Sequence, residues 1–194
     1  MINSIIDIYT DGSCLKNPGP GGIGYLIRYQ LEEDDTKDYK EIEYAKAYRY
    51  TTNNRMELLA AISAINYIID KVNNDDEWKN VQQIHLSSDS EYLCKTINLK
   101  WLENWLENNW MTKGYGNTEP KEVKNKDLWQ QFIEIQTKLR AMSIALIVSW
   151  VKGHADDQFN ERVDKLARDI ASSSDTSEVD KVYEELIREK KRYY

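Results

Sequence analysis

Cysteine, proline and histidine are scarce in this chain. Its 194 residues include two cysteines (Cys14 and Cys94), three prolines and two histidines. No C-x-x-C pair occurs, so a structural zinc site has no basis. Two cysteines read most simply as free thiols in a reducing compartment. No stretch approaches the roughly 20 apolar residues that a membrane span needs. The opening residues MINSIIDIYTDG have neither a charged n-region nor a long apolar segment, so no signal peptide is expected and a cytoplasmic location is. Bases are outnumbered, 26 against 33 acids, for a net charge of −7. That argues against a basic protein that coats nucleic acid nonspecifically, without deciding function. Internal repeats are lacking.

What is present is enough for one folded domain: 41% of the residues are hydrophobic. IIDIYT (5–10), GGIGYLIRYQ (21–30) and EIEYAKAYRY (41–50) have strand chemistry, and an acidic tip at 31–41 joins the second to the third. These three suit an antiparallel meander. The period then changes, and 51–72 reads as a helix that Thr52 or Asn53 can cap. VQQIHLSSDS (81–90) is a fourth strand, followed by helical segments near 91–97, 100–110 and 125–142. SIALIVSWV (143–151) is a fifth strand and 159–173 a further helix. This succession of elements predicts an α/β fold, a five-stranded mixed sheet with helices on its faces. SSSDTS (172–177) reads as a linker before a short C-terminal amphipathic helix. Trp101 and Trp105, at i and i+4, suggest core packing, and His85 suggests a structural residue inside a strand.

Four acids fall near element ends. Asp11 closes the first strand, Glu57 lies one turn into the first long helix, Asp89 closes the fourth strand, and Asp164 lies in the last core helix. Ligands of open sheets bind outside the carboxyl ends of strands. Each acid also has an ordinary explanation: a turn residue before Gly12, a helix N-cap at Asp89, a favourable helix start at Glu57, an i, i+4 partner for Arg168 at Asp164.

YTDGSCLKNPGPGGIG, TTNNRMELLAA, LSSDSEYL, VKNKDLW and VSWVKGHADDQFNERVDKLA occur in that order over about residues 5–172. Together they resemble type 1 ribonuclease H, the bacterial HI-like family. The resemblance implies the ribonuclease H-like fold, with the first three strands antiparallel and helices on both faces. It divides the chain into a ribonuclease H domain (1–172) and a C-terminal helical extension (173–194). The implied activity is endonucleolytic hydrolysis of the RNA strand of RNA–DNA hybrids, leaving 5′-phosphate and 3′-hydroxyl ends. The implied cofactor is a pair of Mg²⁺ ions, with Mn²⁺ as a substitute, on Asp11, Glu57, Asp89 and Asp164. Such a pair sits about 3.5–4 Å apart in an in-line displacement. His154 matches the mobile-loop histidine, with a titration range suited to moving protons. Asn17, Asn53 and Asn54 would face the nucleic acid, Gly12 and Cys14 would lie near the RNA sugars, and Thr52 and Asn125 would hold a DNA phosphate.

Five of the eight glycines (12, 19, 21, 22 and 24) and two of the three prolines (18 and 20) sit beside Asp11. Part of this is an ordinary tight strand connection. A lean backbone there would also let RNA sugars approach, and the 2′-hydroxyl distinguishes RNA from DNA. The chain departs from the family pattern where KWLENWLENNW replaces a basic protrusion: no Lys or Arg lies between Trp101 and Trp110. Glu91 adds an acid beside Asp89. A monomer that binds no membrane is expected, with the C-terminal helix packing on the domain, binding a partner protein, or supplying cations through Arg188, Lys190, Lys191 and Arg192. A noncatalytic hybrid-binding module and another nuclease or transposase on the same fold are the competing classes.

Overall fold

In the computed structural model, which describes residues 1–32, 38–112, 119–153, 157–173 and 178–191, β1 (Ile5–Cys14) is the third of five strands in the sheet. It pairs antiparallel with β2 (Gly19–Tyr29), which pairs antiparallel with β3 (Lys40–Thr51). On its other side it pairs parallel with β4 (Gln83–Ser88), which pairs parallel with β5 (Ala145–Trp150). The spatial order is β3-β2-β1-β4-β5. The mixed sheet and its antiparallel first half are as the sequence predicts. β1 runs farther than expected, through Asp11 to Cys14, because Asp11, Gly12, Ser13 and Cys14 pair with Gly24, Ile23, Gly22 and Gly21. Gly12 and Gly19, outside the strands expected from the sequence, are therefore strand residues as well.

Helix α1 (Asn53–Asn74) packs on β1 and β2 and against α4 (Lys126–Ala141). Its buried residues, among them Leu58, Ala61, Ile65 and Ile68, meet Ile6, Ile8, Ile84, Leu86, Trp129 and Phe132 in the main core. Helix α5 (Gln158–Ala171) covers β1, β2 and β3 on the opposite face. The two faces follow from strand alternation. A Cβ on Gly12 would strike the α1 backbone, whereas one on Gly22 or Gly24 would strike the α5 backbone.

Two short helices follow β4: α2 (Glu91–Asn98), capped by Ser90 Oγ accepting from the Leu93 N–H, and α3 (Trp101–Glu107). Trp105 packs against Trp129 with ring centroids 5.8 Å apart. Trp101 is exposed, contrary to expectation, because Leu102 takes the inward position of this short helix. His85 is half-exposed and faces Asp7 at 3.3 Å. The C-terminal helix α6 (Lys181–Lys191) lies along β3. Among the described residues, no helix is long and apolar enough to cross a membrane.

Candidate active site

The parallel β1–β4 register pairs Tyr9 with Ser87. Two residues farther on, the same register brings Asp11 level with Asp89 at the carboxyl end of the strand pair. Asp11 is buried on the α5 side of the sheet, opposite Gly24. α5 passes over that position and carries Asp164; α1 begins beside Gly12 and carries Glu57 in its second turn. Two strands and two helices thus bring four acids to the same end of the sheet, with Asp11 in their midst.

Electrostatics report their proximity. The Asp11 carboxyl is pushed up from an ordinary 3.8 to about 8, first by burial and then by the Asp89 charge. The Gly12 N–H, donating to Oδ1 at 2.7 Å, opposes the rise, while Asp164 and Glu57 add to it. Glu57 is also raised, by burial foremost; hydrogen bonds from Ser90 Oγ and from Asn53 Nδ2 (2.7 Å) work against this, and the Asp89 charge works with it.

Each of the other acids has a donor of its own. Asn160 Nδ2 donates to Asp89 Oδ2 at 3.3 Å, and Trp150 Nε1 donates to the Asp89 carbonyl at 3.1 Å. Arg168 pairs with Asp164 at 2.7 Å, the partner its i, i+4 spacing suggests. No three His, Cys, Asp or Glu side chains among the described residues close around a point where an ion could sit. The donor set itself fits a hard divalent cation: it is all oxygen and all acidic. Asn160 Oδ1, buried beside Asp89 and without a hydrogen-bond partner among the described residues, is a further unused acceptor.

Ser90 and Asn160 were not singled out from the sequence. Asn160 had a readable signal, since it lies one turn before Asp164 and so shares its face of α5. Ser90 had none beyond its capping chemistry.

The other candidates lie on the elements around these acids. Asn17 Oδ1 accepts the Asn53 N–H at 3.3 Å, joining the β1–β2 loop to the start of α1. Thr52 is the N-cap residue of α1, and Asn54 is exposed beside it. Asn125 precedes α4 in a left-handed conformation (φ 59°), with its amide 3.4 Å from Tyr92 Oη. Gly12 is buried against α1, and burial pushes the Cys14 thiol up. Glu91 turns away from Asp89 onto Lys95 at 2.6 Å. His154 lies outside the described residues.

Fold and site together define the class: an α/β protein with several acids gathered near the carboxyl ends of its parallel strands, an oxygen-donor set suited to phosphoryl chemistry. The RNase H family model matches residues 3–172. A ribonuclease H of Idiomarina loihiensis is 39% identical over 173 residues, covering 89% of this chain and 92% of the relative. One from Klebsiella pneumoniae is 41% identical over 167 residues, covering 86% and 89%. Among solved structures, LC9-RNase H1, described as a type 1 RNase H with the type 2 active-site motif, superimposes with a TM-score of 0.66 at 26% identity, covering 88% of this chain and 74% of that one. LC11-RNase H1 in complex with RNA/DNA hybrid shares the fold, with a TM-score of 0.54 at 24% identity over 84% of this chain and 94% of that one. The chain belongs to the RNase H family and is an enzyme of that kind, a nucleic-acid hydrolase.

Proposed function

We propose that this chain is an endoribonuclease that hydrolyses the RNA strand of RNA–DNA hybrids with two divalent ions, Mg²⁺ by preference and Mn²⁺ as substitute, leaving 5′-phosphate and 3′-hydroxyl ends. The observation that carries the reading is the Asp11 carboxyl, raised by its own burial and by three other acids around it. Family membership supports the substrate, as does the hybrid bound to LC11-RNase H1. Asp11, Glu57, Asp89 and Asp164 would hold the ions, which when bound supply Lewis-acid activation of water and stabilise the departing oxygen.

The chain's own groups prepare the pocket. Asn53 and Ser90 orient Glu57, Asn160 orients Asp89, and Arg168 restrains Asp164. Asp11 must give up its proton for the pocket to act. His154 would move a proton during turnover or help product leave. Asn17, Asn53 and Asn54 would face the hybrid, Cys14 would lie near its RNA sugars and Thr52 and Asn125 would hold a DNA phosphate; Gly12, buried against α1, would serve packing instead. The domain would comprise residues 1–172, with 173–194 as an extension.

Incubation with Mg²⁺ and labelled RNA–DNA hybrid, DNA duplex or RNA duplex tests the reading. Cleavage confined to the RNA of the hybrid is expected. Binding without cleavage would leave only a hybrid-binding module, and cut DNA would indicate another nuclease.

Affinity for the hybrid should depend weakly on salt. Glu103 and Glu107 are exposed on α3, where a basic protrusion would otherwise grip the backbone. Each phosphate contact that is missing lowers the salt slope by roughly one unit. A slope of log Kd against log salt as steep as that of a relative with a basic protrusion would refute this.

A further inference from the structure

The C-terminal extension enters the domain at one buried point. Asp180 is 6% exposed and Arg55, in the first turn of α1, is 1% exposed. Arg55 donates to Asp180 from Nε at 2.6 Å and from Nη2 at 2.8 Å. On its other side it donates to Asp127 from Nη1 at 2.9 Å and from Nη2 at 2.7 Å. Asp180 also accepts from Thr51 Oγ1 at 3.0 Å and from the Tyr183 N–H at 3.3 Å, which ties the start of α6 to the same carboxylate.

The sequence neighbours of these groups matter. Thr51 and Arg55 bracket Thr52, and Asp127 lies two residues after Asn125. One planar guanidinium, its Nε and both Nη atoms engaged by two carboxylates, therefore fixes the β3–α1 junction relative to the start of α4. A bidentate arginine holds such geometry far better than a point charge would.

The extension is seated for this purpose along β3. The Glu178 carbonyl accepts the Arg49 N–H at 3.1 Å, and the Glu178 carboxylate pairs with Lys46 at 3.2 Å. Glu184 accepts from Arg49 Nε at 2.7 Å and Nη2 at 2.5 Å. The Tyr183 ring lies 5.9 Å from the Tyr50 ring and 5.6 Å from the Arg55 guanidinium carbon.

We infer that Asp180 is a positioning residue for the phosphate-binding pair Thr52 and Asn125: the C-terminal extension sets the spacing of that pair through Arg55. The inference rests on the proposal that Thr52 and Asn125 hold a DNA phosphate. Asp180 touches no nucleic acid itself. Its removal leaves Arg55 tied to Asp127 alone and Thr51 Oγ1 without its acceptor, so the two halves of the phosphate site lose their common brace while the four acids stay in place.

The test uses the full chain and hybrids carrying one neutral methylphosphonate, moved stepwise along the DNA strand. In the parent, one position should weaken binding by about tenfold, the worth of a charge-assisted contact of about 1.4 kcal/mol. In Asp180→Asn, that position should become indistinguishable from its neighbours, KM for the unmodified hybrid should rise about tenfold, and kcat should stay within about twofold. Asp180→Glu, which restores the carboxylate, should recover part of the phosphate sensitivity, and it serves as the second variant if the asparagine protein does not fold. A variant as sensitive to that phosphate as the parent, or one that loses kcat at unchanged KM, overturns the inference. A parent sensitive at no position removes the premise that Thr52 and Asn125 hold a phosphate, and the inference falls with it.

Discussion

Asp11→Asn is expected to lower hybrid cleavage by roughly a thousandfold or more, which corresponds to about 4 kcal/mol of lost transition-state stabilisation. It should at the same time make the metal-free protein more stable near neutral pH. Both follow from burying a carboxylate among three others. The folded-state pKa of Asp11 is about 8, against 3.8 in an ordinary setting. Between those values the folded chain holds a proton that the unfolded chain releases. Stability therefore falls as pH rises through that window, because the folded state binds more protons there. Asparagine removes the ionisation and with it this part of the slope. Melting in EDTA from pH 4 to pH 9 should show the parent losing stability toward the alkaline end and the variant losing much less. Mg²⁺ should raise the parent's melting temperature most at that end, where the carboxylate is ionised, and should raise the variant's far less. A parent whose melting is unchanged by saturating Mg²⁺, or a variant that still cleaves, would show that the acid pocket does not hold the ions.

The four acids stood out in the sequence as residues near element ends, each with an ordinary explanation of its own; the resemblance to type 1 ribonuclease H is what joins them into a set. Asp11 and Asp89 sit at the ends of period-two runs that β1 and β4 realise, and Glu57 and Asp164 sit on helices whose apolar faces fix their phase. The strand order was partly legible, since three consecutive strands before any helix suit an antiparallel meander. What each acid touches was not legible. Glu57 is held by Ser90 from across the chain, and Asp89 by Asn160, contacts between segments that no local pattern encodes. Asp180 was invisible for the same reason: one acid among several after a linker gives no sign that it ends against a fully buried arginine 125 positions earlier. Trp101 misled because a short helix keeps only one side chain, Leu102, fully inward, and spacing alone does not say which.

Gly12 shows the limit of local reading most clearly, and it supplies the second large effect. Beside Asp11 and before a glycine-rich run, it reads as a breaker or as open ground for a sugar. In the fold it lies inside β1, paired with Ile23, where α1 crosses the strand. A Cβ there would stand 2.1 Å from the Glu57 backbone nitrogen and 2.2 Å from the Met56 carbonyl carbon. These are backbone atoms within a helix, so no rotamer change relieves the clash; α1 itself must shift outward. Met56, Ala60 and Ile23, all fully buried in the adjoining cluster, would be prised apart together. Gly12→Ala should therefore cost at least about 3 kcal/mol, the upper range for overpacking a dense core, and lower the melting temperature by roughly 6–12 °C for a chain of this size. Cleavage should fall even below the melting range, because the same shift carries Glu57 away from Asp11. Gly153→Ala is the informative contrast. Among the described residues the added methyl would meet the Asp89 side chain, at 2.9 Å from Oδ2, and a carboxylate can turn where a helix backbone cannot. That variant should melt within about 2 °C of the parent, inside the half-kilocalorie range of ordinary surface substitutions. If Gly12→Ala melted as close to the parent as Gly153→Ala, the tight crossing of β1 and α1 that sets Glu57 beside Asp11 would have to be abandoned.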